Sequence, residues 1–160
     1  MARTITGNRG AFLDMLAISE NTLAVLKASD DGYNVLVSSL PGHVVIFPSY
    51  KDHPRIKINI GRGLVSTAAG RYQCLEHIFD FYKENLHLTD FSPPNQDAIA
   101  IEQIKECHAL PLIDIGDIEG AIEKVAHIWA SLPGANYGQH ENKITLLLTD
   151  YQQAGGTLHG

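Results

Sequence analysis

Tyr33-Asn34-Val35-Leu36-Val37-Ser38, then Leu40-Pro41-Gly42, then His43-Val44-Val45-Ile46-Phe47, is the stretch on which the fold class turns. Both arms are rich in β-branched and aromatic residues, and Pro-Gly between them is a turn signal, so the segment predicts a β-hairpin. Just downstream, Ile56, Ile58 and Ile60 alternate with Lys57 and Asn59, the period of a half-exposed third strand. Outside this β-rich lobe, about residues 32–60, the pattern is helical. Upstream, Phe12, Met15, Leu16 and Ser19 recur every three or four residues, predicting a helix over 9–19 with Asn8 as its N-cap. Residues 21–31 are mixed and end in the turn signal Asp30-Asp31-Gly32.

After Gly61-Arg62-Gly63 the helical period takes over. Residues 72–86 place Leu75, Ile78, Phe79 and Tyr82 on one face, and Ser92-Pro93 opens a helix whose buried face carries Ala98, Ile101 and Ile104. Asp117 is placed to cap a helix running through Ile122, Val125 and Trp129, with Trp129 in the core. A last helix over 141–154 stops at Gly155-Gly156. The class is therefore α+β, mainly helical, in one domain spanning residues 1–160. Two unequal lobes of this kind predict a cleft at their junction.

The 160 residues carry a formal net charge of −6. That argues against a general affinity for nucleic acid or for anionic membrane. Between positions 51 and 74, however, Lys51, Arg55, Lys57, Arg62 and Arg71 face one acid, Asp52. This strip reads either as a surface for an anionic polymer or as a solvated basic loop. Two cysteines, Cys74 and Cys107, are too few for a disulfide scaffold and are expected as buried free thiols. Eight scattered histidines show no His-Glu-x-x-His spacing, so no metal site and no cofactor is expected. Residues 1–8 lack the apolar core of a signal peptide, and no run approaches a membrane span. The expectation is a protein made and held in the cytoplasm, a monomer without stable membrane association.

Glu20 falls just past the predicted end of the first helix. A carboxylate there meets the negative pole of the helix dipole, and apolar neighbours such as Ile18 disfavour its charge further. Both effects favour the protonated form that a general acid needs near neutral pH. An exposed surface glutamate is the ordinary alternative.

The segment Ala11-Phe12-Leu13-Asp14-Met15-Leu16-Ala17-Ile18-Ser19-Glu20 resembles the opening helix of the phage lambda lysozyme family, which ends in its catalytic Glu. The resemblance continues in order through Gly32-Tyr33-Asn34-Val35, Asp52-His53-Pro54-Arg55, Gly70-Arg71-Tyr72-Gln73, Asp90-Phe91-Ser92-Pro93 and Gln96-Asp97-Ala98. It resumes at Gln103-Ile104-Lys105-Glu106, Ala109-Leu110-Pro111, Ile128-Trp129-Ala130-Ser131-Leu132-Pro133-Gly134 and Tyr137-Gly138-Gln139.

The resemblance implies a lysozyme-like fold and a phage endolysin that cleaves the β-1,4 bond between N-acetylmuramic acid and N-acetylglucosamine. Its partner would be the glycan strand of peptidoglycan. Family members act as lytic transglycosylases: Glu20 would protonate the leaving oxygen, then take a proton from the muramic acid's own C6 hydroxyl as a 1,6-anhydro ring closes. The enzyme would wait in the host cytoplasm until a separate phage protein opens the membrane. Gln73, expected just inside the second long helix, would hydrogen-bond substrate or the acid; Tyr72 would stack on a sugar. Tyr137 would hold the acid's carboxyl group, and His53 and Arg55 would sit on a lip over the cleft.

Three departures stand out. Asn34 replaces the family's Asp, removing a carboxylate that a hydrolase could use, with Asp30, Asp31 and Asp52 left as possible partners. Asn21 replaces a Gly and is expected to tolerate positive φ. Ala68 replaces a second Gly and is expected to be helical. A hydrolytic lysozyme on the same fold, a zinc amidase and a non-catalytic peptidoglycan-binding module are the competing readings.

Overall fold

The structure is a computed structural model that describes residues 1–135 and 141–159. The chain divides into two compact units, Met1–Glu20 with Ala100–Gly160 (unit 1) and Asn21–Ile99 (unit 2). Both boundaries fall inside helices, α1 (Gly7–Asn21) and α4 (Pro93–Glu106), so no linker composition marks them.

In unit 1, α1 is longer at both ends than its apolar spacing predicts. Every residue from 11 to 17 is buried, Asp14 included, so the helix is enclosed on all sides. The Asp14 carboxylate accepts the Ala2 backbone N–H at 2.7 Å. Asn8 lies inside the first turn and does not cap it. Its Nδ2 donates to the Ile113 carbonyl at 3.0 Å, and its Oδ1 accepts Thr157 N and Oγ1, each at 3.1 Å. The helix α5 (Leu110–Ile115) ends at Gly116, whose φ of 84° is left-handed, and packs on α6 (Ile118–Val125). Asp117 caps α6 as expected, accepting Gly120 N at 3.1 Å. Trp129 is buried but lies beyond the end of α6, after a turn. The last helix, α7 (Ile144–Gln153), buries Leu147 and Tyr151.

Unit 2 corrects the β reading. The arms of the 33–47 hairpin meet only at the isolated bridges Val35↔Ile46 and Leu40↔His43. Residues 35–37 divide their hydrogen bonds between two neighbours: Leu36 N donates to Val45 O, whereas Val37 N donates to Ala68 O and Val35 O accepts Gly70 N. Ser38, at φ 69°, then turns the chain away, so no continuous ladder forms. The regular sheet is two-stranded and antiparallel, β1 (Ile58–Gly61) against β2 (Leu64–Ser66). Arg62 and Gly63, at φ 53° and 72°, supply the tight turn between them. Gly61-Arg62-Gly63 is thus a hairpin turn where the sequence reading saw a strand's end.

Between Ala69 and Cys74 the chain closes a tight turn, and the helix expected from residue 72 begins only at α3 (Glu76–Asn85). Ala68 is irregular, not helical, and its φ is not positive, so no strain attaches to it. A short α2 (Leu23–Lys27) occupies the mixed region after α1. Leu36, Phe47, Ala69, Phe79, Tyr82, Phe91 and Ile99 form the apolar core of this unit, with Phe79 and Phe91 edge to face at 5.0 Å.

A buried polar network runs beside that core. Tyr33 and Tyr72 both donate their hydroxyls to Asp97 Oδ1, at 2.8 and 2.6 Å. Arg71, 1% exposed, donates to the Tyr72 hydroxyl at 2.9 Å and to the Asp31 carbonyl at 3.0 Å. Gln96 accepts Arg71 N and donates to the Tyr33 and Phe91 carbonyls. A Cβ at Gly70, where φ is 83°, would strike the Gln96 side chain, so this position requires glycine.

Candidate active site

Glu20 lies in the last turn of α1, within the helix and not past it. It is partly buried, like Ile18 and Ser19 before it. Burial is the larger influence on its carboxyl group and pushes the pKa up to about 7; a hydrogen bond from the Ser131 side chain works the other way. A carboxyl group balanced there carries its proton for part of the time at neutral pH, the condition for giving a proton and later taking one.

Three uncharged side chains meet at Ser19, the residue before Glu20. Ser19 Oγ and Ser131 Oγ are 2.7 Å apart, and Asn142 Nδ2 donates to Ser19 Oγ at 2.9 Å and to the Ser19 carbonyl at 3.2 Å. The Asn142 backbone N–H donates to the Ser131 carbonyl at 2.8 Å, tying the two ends of this segment together. Sequence reasoning gave none of these three a role. Ser131 stood inside a quoted motif, but nothing in the linear order brings it to α1.

Glu20 belongs to unit 1, whereas His53, Arg55, Tyr72 and Gln73 all belong to unit 2. Tyr137 lies outside the described residues. Gln73 is not helical: it sits at φ 51° in the turn before α3, with Nε2 donating to the Gly70 carbonyl at 2.9 Å. Tyr72 is 5% exposed and its hydroxyl is committed to Asp97, so it has no open ring face for a sugar. His53 is 2% exposed, and its ring centroid lies 5.0 Å from that of Phe91. Its Nε2–H donates to the Cys74 carbonyl at 2.9 Å and its Nδ1 accepts Arg55 N at 3.0 Å, which fixes a neutral tautomer. Burial lowers its pKa accordingly. His53 is a core histidine, not a lip residue.

Arg55 is ringed by acids: its guanidinium donates to Asp52 at 2.8 Å, to Asp80 at 3.0 Å and to Glu76 at 3.2 Å. The hydrogen bonds from Arg55 hold the Asp52 and Asp80 carboxyls below their usual range. With Arg55 paired and Arg71 buried, the cationic strip shrinks to the exposed Lys51, Lys57 and Arg62. Asn34 Oδ1 accepts Asp30 N at 2.9 Å, while the Asp30 carboxylate accepts the Tyr50 hydroxyl at 2.6 Å. Both cysteines are free and partly buried, and burial pushes the Cys74 thiol up to about 12. Among the described residues, no group of three His, Cys, Asp or Glu side chains converges to hold a metal ion. No helix among them is long and apolar enough to cross a membrane.

The sequence profile of the endolysin family matches residues 10–158. This chain belongs to the endolysin family. It is 49% identical over 155 residues to the endolysin of Escherichia phage lambda, covering 96% of this chain and 95% of that one. The endolysin of Escherichia phage P2 is 47% identical over 154 residues, 93% of each chain. The solved structure of bacteriophage lambda lysozyme complexed with a chitohexasaccharide superposes with a TM-score of 0.88 at 47% identity, covering 98% of this chain and 99% of that one. A second structure of lambda lysozyme superposes at 0.84 with the same coverage. The lysozyme fold of this endolysin, read first from motifs, is established by these matches.

Proposed function

We propose that this endolysin is a lytic transglycosylase that cuts peptidoglycan glycan strands between N-acetylmuramic acid and N-acetylglucosamine. Glu20 protonates the leaving glycosidic oxygen. The resulting carboxylate then takes the proton of the muramic acid's C6 hydroxyl while that oxygen bonds to C1 and closes a 1,6-anhydro ring. No water enters the product. The observation that carries this reading is the balanced ionisation of Glu20 near pH 7, which suits one group to both proton transfers. An internal hydroxyl is an able nucleophile, since well-oriented groups reach effective molarities of roughly 10⁵–10⁸ M.

The acids of unit 2 support a mechanism without a second carboxylate. Position 34 is an amide, Asp30 holds Tyr50, Asp31 lies 3.7 Å from Arg71, and Asp52 is bound to Arg55. A retaining or inverting hydrolase needs a second carboxylate at the scissile bond. A chitohexasaccharide in lambda lysozyme makes a β-1,4 glycan the natural ligand class here. Gln73 is the unit 2 residue retained as a substrate contact. The enzyme acts as a monomer, is stored in the host cytoplasm, and reaches the wall after another phage protein permeabilises the membrane.

Mass spectrometry of muropeptides released from purified murein tests the reading. Fragments ending in anhydro sugars, lighter by one water than hydrolysed ends, are expected. Hydrolysed ends from the start of digestion would instead assign a muramidase.

A further inference from the structure

We propose that Asn21 is a positioning residue for Gln73. By holding the Arg71 carbonyl it fixes the turn from which Gln73 offers its side-chain carbonyl oxygen to a hydroxyl or acetamido N–H of the glycan. The inference rests on the reading of Gln73 as a substrate contact. It deepens that reading by naming what holds the contact and which end of its amide meets the ligand.

The turn is short and pinned from outside. Ala69 and Cys74 close it with a reciprocal pair of backbone bonds, Ala69 N to Cys74 O at 3.0 Å and Cys74 N to Ala69 O at 2.8 Å. Inside it, Gln73 N donates to Gly70 O at 3.2 Å. Gln73 takes a left-handed φ of 51°, which a residue with a side chain disfavours, so the turn needs support from its surroundings. Three side chains supply it. Gln96 Oε1 accepts Arg71 N at 3.0 Å, His53 Nε2 donates to Cys74 O at 2.9 Å, and Asn21 Nδ2 donates to Arg71 O at 2.8 Å. Asn21 and Gln96, both buried, thus grip the two backbone polar groups of one residue, two positions before Gln73. Buried bonds of this kind fix a conformation more firmly than bonds shared with water.

The polarity of Gln73 follows from its own bond. The Gly70 carbonyl can only accept, so the side-chain atom facing it at 2.9 Å is Nε2. Oε1 then lies at the other end of the amide, and it meets no donor among the described residues. Gln73 is half-buried, so this oxygen is an acceptor that a ligand O–H or N–H can complete. A β-1,4 glycan of N-acetylated sugars carries both. Asn21 also follows Glu20 directly in α1, so one helix end bears the candidate acid and the tie to the turn. It stands where the family resemblance places Gly, which has no side chain to make this bond.

The test is a double-mutant cycle on the full-length chain, read by calorimetric titration with chitohexasaccharide, the ligand seen in lambda lysozyme. Gln73→Gly, which accepts the left-handed φ, should raise Kd about tenfold, the worth of one neutral hydrogen bond. Asn21→Ala should raise it by less, about threefold, since the contact is loosened and not removed. With both changes Kd should stay near the Gln73→Gly value, because nothing is left to position. Asn21→Gly takes the place of Asn21→Ala if that variant does not fold. Weakened binding in Gln73→Gly with none in Asn21→Ala overturns the proposal alone. So does a double variant about thirtyfold weaker, the mark of two independent effects. Unchanged binding in Gln73→Gly overturns the reading of the contact, and the proposal with it.

Discussion

At the scale of single residues, Glu20 combines a cost to the fold with the reaction role proposed for it. Its folded pKa, about 7, lies above the ordinary 4.5, so the stability it contributes is fully present below pH 4.5 and is lost as pH rises through 7. Glu20→Gln should abolish wall clearing by at least about 10²-fold and, discounting for partial exposure, stabilise the chain at pH 8 by about 2 kcal/mol. Chemical denaturation at pH 8 and at pH 5 checks the sign: the advantage of Gln should vanish at the lower pH. Arg71 presents the opposite case. Its guanidinium is buried and hydrogen-bonded, so Arg71→Met should cost about 3–5 kcal/mol in urea denaturation by stranding the Asp31 carbonyl and the Tyr72 hydroxyl. The sequence points to Glu20 through a motif that ends on it, and the structure adds the burial that raises its pKa. The buried roles of His53 and Tyr72 were not legible there, because a residue type admits both a core position and a contact, and only neighbours from distant segments decide between them.

At the scale of elements, the exit of α1 differs from its sequence reading in an instructive way. The tolerance of Asn21 for positive φ is not called upon: it stays in the helix, buried, and donates to the Arg71 carbonyl at 2.8 Å. Thr22 makes the turn instead, at φ 71° and ψ 151°, a region that glycine alone adopts without strain. Its side chain recovers little, with Oγ1 accepting Val25 N at 3.5 Å. Thr22→Gly should therefore raise the midpoint of thermal unfolding, by about 1 kcal/mol in stability, the net of relieved strain and greater chain entropy. The helices were readable because their apolar period and capping residues, such as Asp117, are local signals. The β-region was only half readable. Alternation gave β1, but which segments pair is a matter of long-range contacts, and the 33–47 hairpin shares its bonds with residues 68–70.

At the scale of the whole molecule, the fold and family were legible because motifs run in order from end to end; the two-unit division was not, because both boundaries lie within continuous helices. The proposed acid–base mechanism needs no metal, so clearing of permeabilised cells should be unchanged by a chelator, and a loss of activity would revive a zinc amidase. The discontinuous make-up of unit 1 also bears on synthesis. Glu20 leaves the ribosome in the first stretch of chain, yet Ser131 and Asn142 lie 112 and 123 positions after its neighbour Ser19. A nascent or prematurely terminated chain carries Glu20 before the segment that packs against its neighbour Ser19 has been made.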